Sequence, residues 1–170
     1  MDTIYLAGGC FWCIGDYLLS FNGIKDVIAG YSGGDEKDAT YKEVKAQLTG
    51  HRETVKIIFD NTVITKDEII DIYFSYVDPF DKEGQFIDKG FSYTLAMYYQ
   101  NKEEKELFLK KRAELQKSVE LEVFIAIEPF KFFIDAEEYH QHYGEKNKDE
   151  FEKELINSNR TCHLAKFRKN

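Results

Sequence analysis

Apolar and polar residues change period several times along the chain, and each change marks an element. Ile4-Tyr5-Leu6-Ala7 is a short apolar run followed by Gly8-Gly9, which predicts a strand entering a glycine-hinged turn. Ile14, Tyr17, Leu18 and Phe21 then recur at helical spacing, so a helix follows and stops at Asn22-Gly23. Residues 25–31 alternate as a strand, and Ser32-Gly33-Gly34-Asp35 is a turn. A loop through Asp38-Ala39-Thr40 leads to Tyr41, and the β-branched run 54–60 predicts another strand with Glu53 at its mouth. Thr65 and Glu68 have the spacing of a capping box. They open a helix whose buried face is Ile69, Ile70, Tyr73 and Phe74 and which Asp78-Pro79 ends.

Residues 80–90 are polar and glycine-containing and read as a loop, and residues 91–98 read as a strand. Asn101 caps a long helix over residues 102–119, laced with opposite charges four residues apart. Two apolar strands, 124–127 and 130–134, lie hairpin-like around Glu128-Pro129, and a terminal helical region runs from Ala136 to about Ile156. This order predicts an α+β fold, with helices against a mixed, largely antiparallel sheet. Residues 1–157 read as one domain. Residues 158–170 are basic and aperiodic and read as a mobile tail carrying Cys162.

Composition narrows the class. A chain of 170 residues, 43% hydrophobic and 15% aromatic, buries enough surface to fold without structural metals or disulfides. A formal charge of −8 argues against a nucleic-acid partner, since phosphate backbones call for basic faces. No apolar run approaches the ~18 residues of a membrane span, and the first residues lack a signal-peptide pattern, so the expected location is the cytoplasm. Three cysteines in that compartment are expected to be reduced at rest, which favours catalytic over structural roles. A monomer is the simplest expectation.

Chemistry concentrates at Cys10-Phe11-Trp12-Cys13. Cys10 falls at the start of the first helix, where unpaired N–H groups and the helix dipole favour an anion and lower a thiol's pKa. It is a candidate nucleophile. Cys13, three residues on, lies within disulfide reach, so the two form a candidate redox couple. The alternatives are inert cysteines beside core aromatics or half of a zinc site, for which no second C-x-x-C exists. Tyr41 is either packing or a hydroxyl donor. Glu53 is either a solvated carboxylate or, facing an aromatic pocket, an acid that holds its proton near neutral pH. His140 and His142 are two apart and on a helix would diverge, which argues against a shared metal.

Gly8-Gly9-Cys10-Phe11-Trp12-Cys13 resembles the signature of the peptide methionine sulfoxide reductase A family. Ala29-Gly30-Tyr31-Ser32-Gly33-Gly34, Thr40-Tyr41 with Val44, Gly50-His51-Arg52-Glu53, Asp78-Pro79, Gln85, Asp88, Gly90, Tyr93, Phe132 and the stretch from Ala136 to Tyr143 follow the family pattern in order. The resemblance covers residues 2–143. It implies a ferredoxin-like α/β roll and S-stereospecific reduction of methionine sulfoxide in proteins, peptides or free form. By it, Cys10 is the nucleophile, Glu53 the proton donor, and Tyr41 and Tyr93 hydrogen-bond the sulfoxide oxygen. Phe11 and Trp12 enclose the S-methyl group, and Asp88 holds the substrate from the rim. Cys13 or Cys162 resolves the resulting Cys10 sulfenic acid to a disulfide. Thioredoxin or another external dithiol then recycles it, with no resident cofactor or metal. Gly15 stands where the family usually has glutamate, Ala39 replaces a usual proline, and Ile87, Lys89, Phe91 and Ser92 depart around Asp88. Two other readings are a thioredoxin-like dithiol oxidoreductase using Cys10 and Cys13, and a non-catalytic module that binds oxidised methionine through Phe11 and Trp12.

Overall fold

The computed structural model describes residues 1–157, so the segment 158–170, with Cys162 and the expected mobile tail, lies outside the described residues. In chain order the elements are β1 (Asp2–Gly8), α1 (Phe11–Leu19), β2 (Ile24–Ser32), α2 (Tyr41–Lys45), β3 (Arg52–Phe59) and α3 (Lys66–Tyr76). They continue with β4 (Gly84–Gln85), β5 (Asp88–Lys89), β6 (Leu95–Tyr99), α4 (Lys102–Ser118), β7 (Ile125–Pro129), β8 (Phe133–Asp135), α5 (Tyr143–Lys146) and α6 (Lys148–Asn157). Single 3-10 turns occupy Phe91–Tyr93 and Glu138–His140.

Six strands form one sheet in the order β7-β6-β1-β3-β2-β8. Every neighbouring pair is antiparallel except β6 and β7, which run parallel. The fold is thus α+β with a mixed, largely antiparallel sheet. At its centre, β3 lies between β1 and β2 and β1 lies between β6 and β3, while α1 and α3 make the two crossovers. That is the split βαβ arrangement of ferredoxin-like domains.

Strand alternation sorts the two faces. Ile4 and Leu6 of β1, Val55, Ile57 and Phe59 of β3, and Leu95 and Met97 of β6 pack with Ile14 and Leu18 of α1 and Ile69, Ile70 and Tyr73 of α3 in the main core. Tyr5, Ala7, Ala96 and Tyr98 point the other way and are covered by Phe130 and Phe133. Arg52 is buried by its bonds to Tyr98 Oη at 3.1 Å and Glu128 Oε2 at 2.8 Å. Among the described residues no helix is long and apolar enough to cross a membrane.

The capping signals hold at α3, where Thr65 and Glu68 form a full capping box, and at α4, where Asn101 accepts from Glu104 N–H. Six expectations change. Helix α1 ends at Leu19, short of Asn22-Gly23, because its last turn tightens: Ser20 Oγ donates to Tyr17 O at 2.7 Å and Phe21 N–H to Leu18 O at 3.1 Å. The expected loop after Thr40 contains α2, opened by a capping box between Thr40 and Glu43. Residues 80–90 carry the small β4–β5 hairpin, and Phe91–Tyr93 is a 3-10 turn, so the strand starts only at Leu95. The strands around Glu128-Pro129 are not a hairpin, since β7 and β8 sit on opposite edges of the sheet. The terminal helical region is broken at His142, whose φ of 51° is left-handed and ends any continuous helix.

Candidate active site

Cys10 is the N-cap of α1, at φ −56° and ψ 115°, with 6% of its surface exposed. The turn before it requires glycine. Gly9 adopts φ +83°, and a Cβ there would stand 2.7 Å from Gln85 Cβ. Gln85 is itself fully buried and pinned by Asp78: its Oε1 accepts from Asp78 N–H at 2.8 Å and its Nε2 donates to Asp78 O at 2.7 Å. Gly8 lets α1 lie against the end of β1, since a Cβ there would stand 2.3 Å from Ile14 Cδ1. At the same strand end, Tyr73 Oη donates to Ala7 O at 2.6 Å.

Glu53 is the second residue of β3, inside the strand and not merely at its mouth, with 2% of its surface exposed. It shares its face with Val55, Ile57 and Phe59, so it points toward α1. There its Oε2 accepts the N–H of Phe11 at 3.1 Å. A buried carboxyl is thereby held against the backbone of the residue that follows Cys10.

Aromatic rings pack around Phe11. Phe11 is 2% exposed, with its ring centroid 6.3 Å from Trp12 and 6.2 Å from Tyr41. Trp12 stacks on Tyr143 at 3.8 Å and 10°, and its Nε1 donates to His140 Nδ1 at 3.0 Å. Accepting at Nδ1 puts the proton of a neutral His140 on Nε2. Burial lowers the His140 pKa and only partly yields to the opposing Glu137 carboxylate. His140 is thus a neutral member of the aromatic wall, 4.3 Å from the Tyr41 ring. His142 diverges and pairs with Asp26 at 2.8 Å.

Tyr41 opens α2, and its backbone N–H donates to Glu137 Oε2 at 3.1 Å while Tyr31 Oη donates to Glu137 Oε1 at 2.8 Å. Burial works to raise the Glu137 pKa, but hydrogen bonds, among them those from Tyr31 and Tyr41, prevail and keep it an anion. The Tyr41 hydroxyl is pushed well above its ordinary range, first by burial and then by Glu53, Cys10, Glu154 and Asp88. Tyr93, on the 3-10 turn, is raised in the same way by burial and then by Glu53, Tyr41, Asp88 and Cys10. Both phenols are therefore neutral donors. Cys10, Glu53 and Asp88 thus lie within electrostatic range of both phenols.

Asp88 stands half-buried on β5, opposite Gln85 in the hairpin. It lines a surface depression with Ile87 and with Glu150, Lys153, Glu154 and Asn157 of α6. Cys13 is one turn into α1, 2% exposed and part of the main core. Sequence reasoning did not assign Tyr31, Glu137, His140 or Tyr143 a part in the site. Their only signal was the ordered set of motifs in which they stand, because what each does depends on a contact a hundred or so residues away.

The chain matches the family model described as peptide methionine sulfoxide reductase over residues 2–170. A relative from Staphylococcus aureus strain MRSA252, peptide methionine sulfoxide reductase MsrA 2, is 44% identical over 144 residues, which are 84% of this chain and 81% of that protein. Peptide methionine sulfoxide reductase MsrA of Picrophilus torridus is 41% identical over 150 residues, 88% of this chain and 85% of its own. Among solved structures, reduced Mxr1 from Saccharomyces cerevisiae superposes with a TM-score of 0.82 at 33% identity, covering 86% of each chain.

Proposed function

The chain belongs to the peptide methionine sulfoxide reductase family, and we propose that it reduces the S epimer of methionine sulfoxide, in proteins, peptides or free form, through thiol chemistry at Cys10. The observation that carries this is the 3.1 Å hydrogen bond from Phe11 N–H to Glu53, which sets a buried acid beside a cysteine at a helix N-terminus. A sulfoxide oxygen is a poor leaving group until it is protonated. Its reduction therefore asks for a thiolate, an adjacent proton donor and neutral hydrogen-bond donors on the S–O bond.

The Cys10 thiolate attacks the sulfoxide sulfur. Glu53 gives its proton to the oxygen, which Tyr41 and Tyr93 hold by hydrogen bonds while charge develops on it. The oxygen ends on Cys10 as a sulfenic acid and the thioether leaves, so methionine sulfur gains the two electrons that Cys10 loses. Burial supports the acid role, since desolvation favours the neutral form of a carboxyl. The Phe11 and Trp12 rings suit the S-methyl group, and Asp88 at the rim suits the main chain or amine of the substrate. A second thiol then attacks the sulfenic sulfur, water departs and a disulfide forms. An external dithiol such as thioredoxin returns two electrons, so the cycle calls for no resident cofactor. Cys13 is the nearer resolving thiol along the chain. Cys162, on the basic segment after α6, is the alternative. The enzyme acts as a cytoplasmic monomer in this reading.

The test is dithiothreitol-driven reduction of the separate S and R epimers of a blocked methionine sulfoxide by wild type and Cys10→Ser. Turnover of S alone, lost in Cys10→Ser, is the expected result. Turnover of R, or activity that survives Cys10→Ser, refutes the assignment. Binding without turnover moves the protein to the class of non-catalytic methionine sulfoxide binders.

A further inference from the structure

Helix α2 ends in a Schellman arrangement, with Leu48 N–H donating to Glu43 O at 3.1 Å and Gln47 N–H to Val44 O at 3.0 Å. The residue that turns the chain out of such a helix sits in the left-handed region, where a Cβ is strained and glycine is favoured. Here it is Gln47, at φ +64°. Its side chain does what glycine has no means to do. Gln47 Oε1 accepts Ser92 N–H at 2.9 Å, and Nε2 donates to Ser92 Oγ at 2.8 Å and to Lys45 O at 3.1 Å. Because a backbone N–H only donates, the amide has one orientation. Ser92 is fully buried between Phe91 and Tyr93. Gly90, at φ +126°, leaves the space the amide fills, since a Cβ there would stand 2.6 Å from Gln47 Nε2.

The amide thus joins the end of the helix that begins with Tyr41 to the turn that ends with Tyr93. The other end of α2 is fastened by Glu137. We propose that Gln47 is a positioning residue for sulfoxide reduction: by tying α2 to the Phe91–Tyr93 turn it fixes the separation of the Tyr41 and Tyr93 hydroxyls around the reacting oxygen. This rests on the reading of those two phenols as the pair that binds the oxygen. Donors of that kind act within about 2.7–3.1 Å of the oxygen, and a displacement of about 1 Å is enough to cost on the order of a hundredfold in rate.

Gln47→Gly removes the tie and relieves the left-handed backbone at once, which separates positioning from stability. Its unfolding midpoint is expected to change little, because relief of the left-handed backbone offsets the loss of the acceptor for the buried Ser92 N–H. Its kcat for dithiothreitol-driven reduction of the S-sulfoxide is expected to fall about tenfold to hundredfold, with KM within about threefold of wild type. Gln47→Glu, whose carboxylate still accepts from Ser92 N–H and Oγ–H but has no hydrogen for Lys45 O, is expected to recover part of that rate. Amide hydrogen exchange reads the tie without catalysis, and in Gln47→Gly it is expected to quicken at residues 41–47 and 91–94 together while β1 and β3 stay protected. Wild-type kcat in Gln47→Gly, an effect on KM alone, equal loss in both variants, or unchanged exchange at the turn overturns the proposal. If wild type itself leaves the sulfoxide unreduced, the reading of the pocket falls and the positioning role falls with it. A wild type that turns over beside an equally active Gln47→Gly refutes the tie alone.

Discussion

Glu53→Gln isolates the proton from the geometry. The substitution keeps the size of the side chain and an oxygen that can accept the Phe11 N–H, now 3.1 Å from Glu53 Oε2, so the turn at Cys10 keeps its support. What disappears is the transferable proton. A positioned general acid contributes about 10²–10⁴ in rate, which at about 1.36 kcal/mol per tenfold is about 2.7–5.4 kcal/mol of transition-state stabilisation. The assay is a single turnover without added reductant, in which pre-reduced enzyme is mixed with blocked methionine S-sulfoxide and the methionine formed per Cys10 is followed. Slow recycling of the disulfide then cannot mask the chemical step. The sign with pH follows from the role: an acid works while protonated, so the wild-type rate falls as rising pH takes the Glu53 proton. The variant loses that limb. A Glu53→Gln rate within about tenfold of wild type, less than a general acid supplies, refutes Glu53 as proton donor. So does a variant that keeps the wild-type pH limb.

Two further outcomes follow from groups around the site. Tyr73→Phe removes the 2.6 Å donor to Ala7 O at the end of β1 and strands a buried acceptor, so it is expected to cost about 1–3 kcal/mol in urea unfolding with an unchanged m-value; a neutral result means Ala7 O finds another donor. His140 has a folded pKa lowered by burial, against the opposing pull of Glu137, and only its neutral ring accepts the Trp12 N–H. Its contribution to stability is therefore full above the unfolded value of about 6.5 and is lost as pH falls below it, because the unfolded chain binds the proton first. Thermal unfolding followed downward from about pH 7.5 is expected to show a drop that His140→Gln lacks. An identical drop in both proteins assigns it to other groups.

The elements whose pattern is local were legible, and those set by long-range pairing were not. Thr65-x-x-Glu68 and Asn101 marked helix starts because a cap is decided within four residues. Thr40-x-x-Glu43 carries the same signal at α2 but does not by itself predict a helix, since five residues leave almost no apolar period to go with the cap. Glu128-Pro129 looked like a hairpin turn, yet β7 joins β6 in parallel and β8 joins β2 at the far edge. Which edge a strand joins depends on which edges the rest of the sheet leaves open. The aromatic, β-prone neighbours of Tyr93 predict a strand, whereas Gly90 at φ +126° starts a 3-10 turn that lifts the phenol out of the ladder.

The same division runs through the site. The alternation of Glu53, Val55, Ile57 and Phe59 along β3 already commits the carboxyl to the face that carries the core. The glycines before Cys10 already mark a close turn at a helix start. Together these two local facts imply a buried acid on one element and a thiol at the end of another, but not that they meet. The meeting is made by Gly8, which admits Ile14 against the end of β1 and so lets α1 settle where Phe11 N–H finds Glu53. Glu137 works likewise at the other wall. A single carboxylate takes the Tyr31 hydroxyl and the Tyr41 backbone from two different elements, and nothing in its own neighbourhood of the chain, Ala136-Glu137-Glu138, distinguishes it from the exposed glutamate beside it. Each side chain's local conformation follows from its neighbours in sequence, while the chemistry follows from which two elements are close enough to share a hydrogen bond.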